Sequence, residues 1–349
     1  MNDLTARRRK RTRSWSMTTN ENPHPTKAEA KIFERYSWLP LVIALIIGAF
    51  WVVSKLRTHK LQAVIFAVGV VLLLGVEFLR WRRSRSQTGE KLDSTTFVDG
   101  ASSFCIALIY GIGSALIVIP LLYAFAQWVH SHAIFQINER LKDIFGGAST
   151  VVIAILLFIV VDFSYYWAHR LGHRMELFWA NHSVHHSSEH YNPTTAVRIS
   201  FLDEAWDLVL VSLWALLGFS PIALFGIYGF VMLYQLPLHV SWRGRFPRPI
   251  EYVFNTPEHH QAHHARQKLY IDKNFSGVFI LWDRIFGTYA EVEKVNPLYG
   301  LTIPVGTFRI LPIMFHENVS MIKKMVRAKS VGTAVQYPFR PPYWEPAEK

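Results

Sequence analysis

Cysteine is nearly missing from this chain: Cys105 is the only one in 349 residues. An internal disulfide is therefore excluded, and so is a cysteine-ligated zinc or iron–sulfur site. The chain has no Cys-x-x-Cys, no Gly-x-Gly-x-x-Gly after a strand and no fused haem domain, so any electrons it uses come from elsewhere. It also lacks a pair of Glu-x-x-His motifs, the ligand signature of the soluble di-iron bundles. Negative charge is scarce, with 25 acidic against 37 basic residues and a formal charge of +12. In a soluble chain that excess would point to nucleic acid. Beside long uncharged runs it points to the positive-inside rule and to anionic lipid.

Those runs are the first thing the sequence does have. Hydrophobic residues make up 51% of it, and mean hydropathy is positive at +0.17. Apolar runs cover Leu39–Val53, Leu61–Leu79, Ala101–Val129 and Ser149–Ala168, with Trp38 and Trp51 as interfacial anchors and Pro120 as an expected kink. A second apolar pair, Leu208–Phe219 and Pro221–Leu238, breaks at Ser220-Pro221. The pattern predicts an all-α integral membrane protein. It would have about four transmembrane helices, a second apolar hairpin and a cytoplasmic helical cap.

Residues 1–36 read as a basic, disordered cytoplasmic tail, since "ARRRKRTRSWS" is not followed by a signal-peptide core or cleavage site. Residues 37–94 read as a transmembrane hairpin and basic loop, 95–300 as the main domain, and 301–349 as a surface helix and extended tail. The basic mixture from Thr307 to Lys329 suits a helix lying on a membrane, and "FRPPYWEP" suits an extended segment. Placing the tail and the loop at 80–91 inside leaves 130–148 outside and brings the end of the fourth run back to the cytoplasmic face. Only "KLRTHK" breaks this parity.

Directly after the fourth run, residues 169–186 hold five histidines in eighteen positions. Three boxes emerge: His169-x3-His173, His182-x2-His185-His186, and His260-x2-His263-His264 preceded by His259. Ten of the sixteen histidines lie within 169–190 and 259–264. Positions i, i+3 and i+4 share a helix face, so each box is expected to aim its rings at one point. Clustered buried imidazoles repel when protonated and lack partners when neutral; neutral imidazole is also the commonest protein metal ligand. Eight or nine ring nitrogens exceed what one ion takes and predict two. Nitrogen ligands suit zinc, copper, iron or nickel, and spacing alone does not choose.

With the boxes in place, "DFSYYWAHRLGH", "LFWANHSVHHSSEHYNPTTAVRIS", "NTPEHHQAHH" and "YIDKNFSGVFILWDRIFGTY" together resemble the sterol desaturase and fatty acid hydroxylase superfamily of membrane di-iron enzymes. The resemblance covers residues 95–300, with weaker similarity at "YGLTIP" and "PPYWEP", and is nearest in look to the alkylglycerol monooxygenase branch. It implies iron ligands at His169, His173, His182, His185, His186, His260, His263 and His264, with His239 of "YQLPLHVSW" as a ninth. It further implies two Fe2+ ions, O2 as co-substrate and hydroxylation or desaturation of a lipid such as an ether lipid, sterol-like or fatty acyl compound. The electron donor would be separate: a ferredoxin or cytochrome b5 type protein, or reduced tetrahydrobiopterin. The setting would be a bacterial inner membrane or the endoplasmic reticulum.

The sequence departs from the ether-lipid branch at Arg174, where an acidic residue is expected; Glu176 is the nearest substitute. The chain also ends sooner than an enzyme with several further C-terminal spans. Asp162, Asp272, Asn274, Asp283 and His259 are expected second-layer partners of the ligand rings; the alternative is interfacial solvation for Asp162, helix capping or turn closure for Asp272, Asn274 and Asp283, and a surface position for His259. Arg198 and Arg266 are open between binding a lipid head group and facing solvent. His190 reads as a surface or supporting residue, and His130 and His132 as uninvolved. Two rival functions stay open: a non-redox zinc-dependent lipid enzyme, and a metal transporter with mid-membrane ligands.

Overall fold

The structure, a computed structural model, describes residues 94–200, 202–240, 245–291 and 297–346. The basic tail, the two apolar runs expected before residue 80 and the loop at 80–91 lie outside the described residues. Among those described there is no strand; every regular element is helical.

The chain enters as α1 (Ser94–Gly113), passes through a π turn (Ser114–Val118) and continues as α2 (Ile119–Ser131). Pro120 sits in the first turn of α2. A proline nitrogen cannot bond back to the preceding turn, and the wider winding just before it absorbs the misfit. The connection at 130–148 is not all loop: Ile137–Phe145 forms α3 with Leu141 buried. α4 (Ser149–Arg174) runs past the expected end of its apolar stretch and carries the first box. Met175 alone is extended before α5 (Glu176–His186) carries the second.

After the short α6 (Pro193–Ala196) come α7 (Asp203–Ser212) and α8 (Pro221–Gln235). Between them Gly218 has φ +91, and a side chain there would strike the Phe135 carbonyl at 2.5 Å. The short helices α9 (Arg248–Val253), α10 (Pro257–His263) and α11 (Leu281–Ile285) follow α8. α12 (Ile310–Val326) packs on α5 by one face and leaves Leu311, Ile322 and Val326 exposed, and α13 (Val331–Ala334) follows.

Among the described residues three helices are long and apolar enough to cross a membrane: Thr95–Ser131, Ile137–Arg174 and Pro221–Leu238. Leu208–Phe219, the first arm of the expected hairpin, is instead part α-helix and part 3-10 turn. The core joins α2, α4, α7 and α8 through residues such as Leu157, Val161, Leu208, Val211, Leu224 and Val231. On α1 the side chains of Phe97, Phe104 and Leu108 stay exposed, as does Leu116 in the π turn. That distribution suits a lipid solvent, where close packing rather than water exclusion holds helices together.

The C-terminal tail is not simply extended. It forms a turn at Tyr337–Phe339 and closes on α5: the Arg340 carbonyl accepts from Glu176 N–H at 2.8 Å. Lys324 Nζ of α12 lies 2.6 Å from the buried Glu176 carboxylate and 2.8 Å from the Pro342 carbonyl. Glu176 is thereby committed to α12 and does not replace the acidic residue missing at Arg174.

Candidate metal centre

All nine histidines singled out by spacing and resemblance are buried, and the structure brings them together in two groups. His169, His173, His182, His186 and His263 form one; His185, His239, His260 and His264 form the other. Within each group the ligand atoms lie within 4.8 Å of one another. The expectation that each box aims at one point fails for the second and third. Adjacent helical residues diverge by about 100°, so His185 and His186 face different groups, as do His263 and His264. The five-histidine group therefore ties α4, α5 and α10 together, and the four-histidine group joins α5 and α10 to His239, which follows α8.

The hydrogen bonds fix the tautomers. His169 Nδ1 lies 2.7 Å from the Phe275 carbonyl, His263 Nδ1 2.8 Å from the Lys273 carbonyl and His239 Nδ1 2.9 Å from the Gln235 carbonyl. A carbonyl only accepts, so each Nδ1 carries the proton and each Nε2 presents a lone pair. His182 Nδ1 is set the same way by Asp203 Oδ2 at 3.0 Å.

The lone pairs meet. His169 Nε2 is 3.1 Å from His182 Nε2, and His186 Nε2 is 3.2 Å from His182 Nε2 and 3.1 Å from His263 Nε2. In the second group His239 Nε2 lies 3.1 Å from His185 Nε2 and 3.0 Å from His260 Nε2. The His169–His182 approach sets two lone pairs against each other and is not a hydrogen bond. His173 Nε2 and His264 Nε2 are buried with no partner at all. This donor set fits a divalent transition metal in each group: a cation between the nitrogens turns the conflict into ligation.

Burial reinforces the same state. It holds His185, His186, His260 and His264 well below the ordinary imidazole value, with neighbouring imidazoles adding to the effect. Burial takes His239 down to about 4 and His263 to about 3. The rings are neutral at physiological pH, as ligation requires.

The expected supporting residues act one layer further out than predicted. Asp162 accepts no ring proton. Its carboxylate takes the N–H of Val278 (2.7 Å), the N–H of Phe279 (3.1 Å) and Trp282 Nε1 (2.9 Å). Asp283 accepts from Phe275 N, Ser276 N and Thr288 Oγ1, closing the turn whose Phe275 carbonyl meets His169. Asn274 joins the His259 carbonyl to Ala290. Asp272 pairs with Arg174 at 2.8 Å and stands 3.9 Å from His173 Nδ1, beyond hydrogen-bond reach. Both Asp272 and Asn274 have positive φ, at 60 and 56. His259 belongs to the capping box of α10 with Thr256 and pairs with Glu251 at 3.2 Å.

Arg198 faces neither solvent nor a head group: it is 1% exposed and forms a 2.5 Å ion pair with Asp99. Arg266 is partly buried, and its backbone N–H donates to the Leu298 carbonyl. His190 is held by the hydroxyls of Thr95 and Thr96, and His130 and His132 lie at the far end of α2. Sequence reasoning missed Asp203 and the carbonyls of Gln235, Lys273 and Phe275. Carbonyls leave no sequence signal; Asp203 left a weak one, being an acidic residue at the start of an apolar helix.

A cavity of about 680 Å³ opens onto both groups. His169, His182, His185 and His239 line one end, and α1, α4, α7 and α8 supply mostly apolar walls. It is the size of a lipid-chain site.

Residues 154–288 match the family model described as Fatty acid hydroxylase. The superfamily resemblance read from the boxes is borne out, and its branch with it. The chain is 40% identical to human alkylglycerol monooxygenase over 199 residues, covering 55% of this chain and 42% of that protein. It is 38% identical to the Danio rerio alkylglycerol monooxygenase over 195 residues (55% and 43%), and 27% identical to the ornithine lipid hydroxylase OlsE of Rhizobium tropici over 136 (39% and 41%). The match thus spans about two-fifths of the length of these relatives. No solved structure gives a significant match.

Proposed function

We propose that this chain is a membrane lipid monooxygenase with two iron ions, one held by His169, His173, His182, His186 and His263 and the other by His185, His239, His260 and His264. The observation that carries the reading is the paired convergence of buried Nε2 lone pairs at the mouth of an apolar cavity. Iron supplies the O2 chemistry that an unactivated C–H bond needs. The balance is one C–H bond, O2, two electrons and two protons giving an alcohol and water.

The chain's own residues hold and orient. The carbonyls of Phe275, Lys273 and Gln235, with Asp203, keep the inward nitrogens unprotonated. The cavity walls exclude water and align the lipid chain with the histidines. Electrons come from a separate donor, a ferredoxin or cytochrome b5 type protein or reduced tetrahydrobiopterin, and the centre faces the cytoplasm. The named activities of the relatives make an ether lipid the first substrate to test.

The test uses the full chain purified from membranes. Metal analysis is expected to find iron, and incubation with lipid, reductant and O2 is expected to give a product one oxygen heavier. Stoichiometric zinc with turnover in the absence of O2 would make the chain a non-redox lipid enzyme. A product two hydrogens lighter would make it a desaturase.

A further inference from the structure

The cavity wall carries a polar collar that the proposed metal centre leaves unused. α7 opens with Asp203, Glu204 and Asp207, and all three line the cavity. Asp203 gives Oδ2 to His182, and Asp207 gives Oδ2 to the Tyr228 hydroxyl at 2.8 Å. Glu204 is engaged by Ser114 and Tyr110. Oδ1 of Asp203 and Oδ1 of Asp207 receive no hydrogen bond among the described residues. No lysine or arginine is among the described residues that line the cavity. Three acidic side chains on one apolar wall without a cation are short of hydrogen-bond partners, and burial pushes Glu204 and Asp207 toward the neutral acid.

A second observation points the same way. Gln235 is 7% exposed and lines this cavity, yet its Nε2 has no partner. Its backbone carbonyl is the one that orients His239. Trp206 Nε1, on the same wall, is likewise without an acceptor. Buried polar atoms left in this state mark an occupant that completes them. Such an occupant must bring hydrogen-bond donors to the α7 carboxylates and an acceptor oxygen to Gln235.

We propose that this collar is the head-group site of the lipid: Asp207, with Asp203, accepts from hydroxyl or ammonium hydrogens, and the Gln235 amide donates to an ether or carbonyl oxygen. The inference rests on the lipid-monooxygenase reading and specifies its substrate class as a lipid rich in donors at its polar end. Because Asp203 also holds His182, the head group sits beside the metal centre and the chain runs away from it between α1 and α8. Positions 203 and 207 are one turn apart, about 6 Å along the axis.

The test is equilibrium binding to the full chain in nanodiscs, without turnover. The probes are 1-O-hexadecylglycerol, its dimethyl ether, which accepts but does not donate, and hexadecylamine. The wild-type chain is expected to bind the diol or the amine about tenfold more tightly than the dimethyl ether, the worth of a lost buried hydrogen bond. Asp207→Asn, which keeps the Tyr228 contact, is expected to remove most of that preference. A larger loss for the amine identifies an ammonium head group, and a larger loss for the diol a hydroxylated one. Gln235→Leu is expected to weaken both ether lipids and spare the amine.

Equal binding of diol, amine and dimethyl ether by the wild-type chain overturns the proposal and needs no variant to fold. So does a preference that survives Asp207→Asn unchanged. If the preference appears but no oxygenated product ever forms, the monooxygenase reading fails and the head-group site stands. If product forms without the preference, the head-group site alone fails.

Discussion

His182 Nδ1 and Asp203 Oδ2 lie 3.0 Å apart, joining a ring of the five-histidine group to the first residue of α7. A carboxylate behind a ligand imidazole fixes its tautomer and raises its basicity. Asp203→Asn should therefore loosen metal without unfolding the chain. The expected effect is a weakening of iron retention by about 10–100-fold, measured by competition with a chelator. Retention equal to wild type would remove Asp203 from the metal centre.

His185 and His190 are five residues apart, and only His185 faces the histidine groups. His185→Ala should roughly halve the bound iron by emptying the four-histidine group and should abolish product. His190→Ala should leave iron and product near wild type, since it removes only the contacts to Thr95 and Thr96. Elemental analysis and product yield at matched membrane levels distinguish the two.

Asp162 holds the segment after Ser276 by two backbone N–H groups and Trp282. In Asp162→Asn the amide can turn only one oxygen toward three donors. The expected cost is about 1–3 kcal/mol, read as a lower unfolding temperature of the iron-free chain. Gly277 packs against the same carboxylate, and a Cβ there would lie 2.6 Å from Asp162 Oδ1. Gly277→Ala should destabilise by a similar amount, about 1–3 kcal/mol.

Arg198 and Asp99 are both almost fully buried. Arg198→Met leaves the Asp99 carboxylate without its counter-charge and should cost about 3–5 kcal/mol. Lipid selectivity of whatever protein still folds should not change. A selective loss of anionic-lipid binding with normal stability would restore the head-group reading for this residue.

The iron-free chain should be sensitive to acid. Imidazoles lowered to about 4 at His239 and about 3 at His263 resist protonation when folded, while the unfolded chain takes up protons near 6.5. Below 6.5 the unfolded state binds more protons, so stability falls as pH drops toward the folded values. Their contribution is complete above pH 6.5. Denaturant unfolding at pH 7.5 and 5 (about one unit or more either side of the ordinary imidazole value) should show a lower midpoint at pH 5, and iron loading should reduce the difference.

Much of the site was legible because metal ligation restricts residue type and spacing together. Nine histidines picked from the sequence are the nine that converge. Their partition was not legible: i, i+3 and i+4 spacing reports a shared face, but the turn between His185 and His186 sends neighbours to different groups. The supports were hidden for another reason. Phe275, Lys273 and Gln235 act through backbone carbonyls, which every residue owns, so no side chain signals them. Asp162 stood out as an acidic residue within an apolar run, but its partners lie more than a hundred residues away in a turn. Hydropathy located α1, α4 and α8 well; it missed α3, whose polar face masks a short amphipathic helix, and misjudged α7, which opens on acidic residues facing the cavity.

The left-handed backbone at Asp272 and Asn274 reaches further than the loop it shapes. These two residues flank Lys273 and precede Phe275, whose carbonyls decide where the protons of His263 and His169 reside. Chirality of the main chain is thus converted into protonation pattern on two aromatic rings, without a titratable neighbour as intermediary. Ionic strength should leave that pattern alone, whereas a β-branched residue at position 274, which resists positive φ, should scramble it.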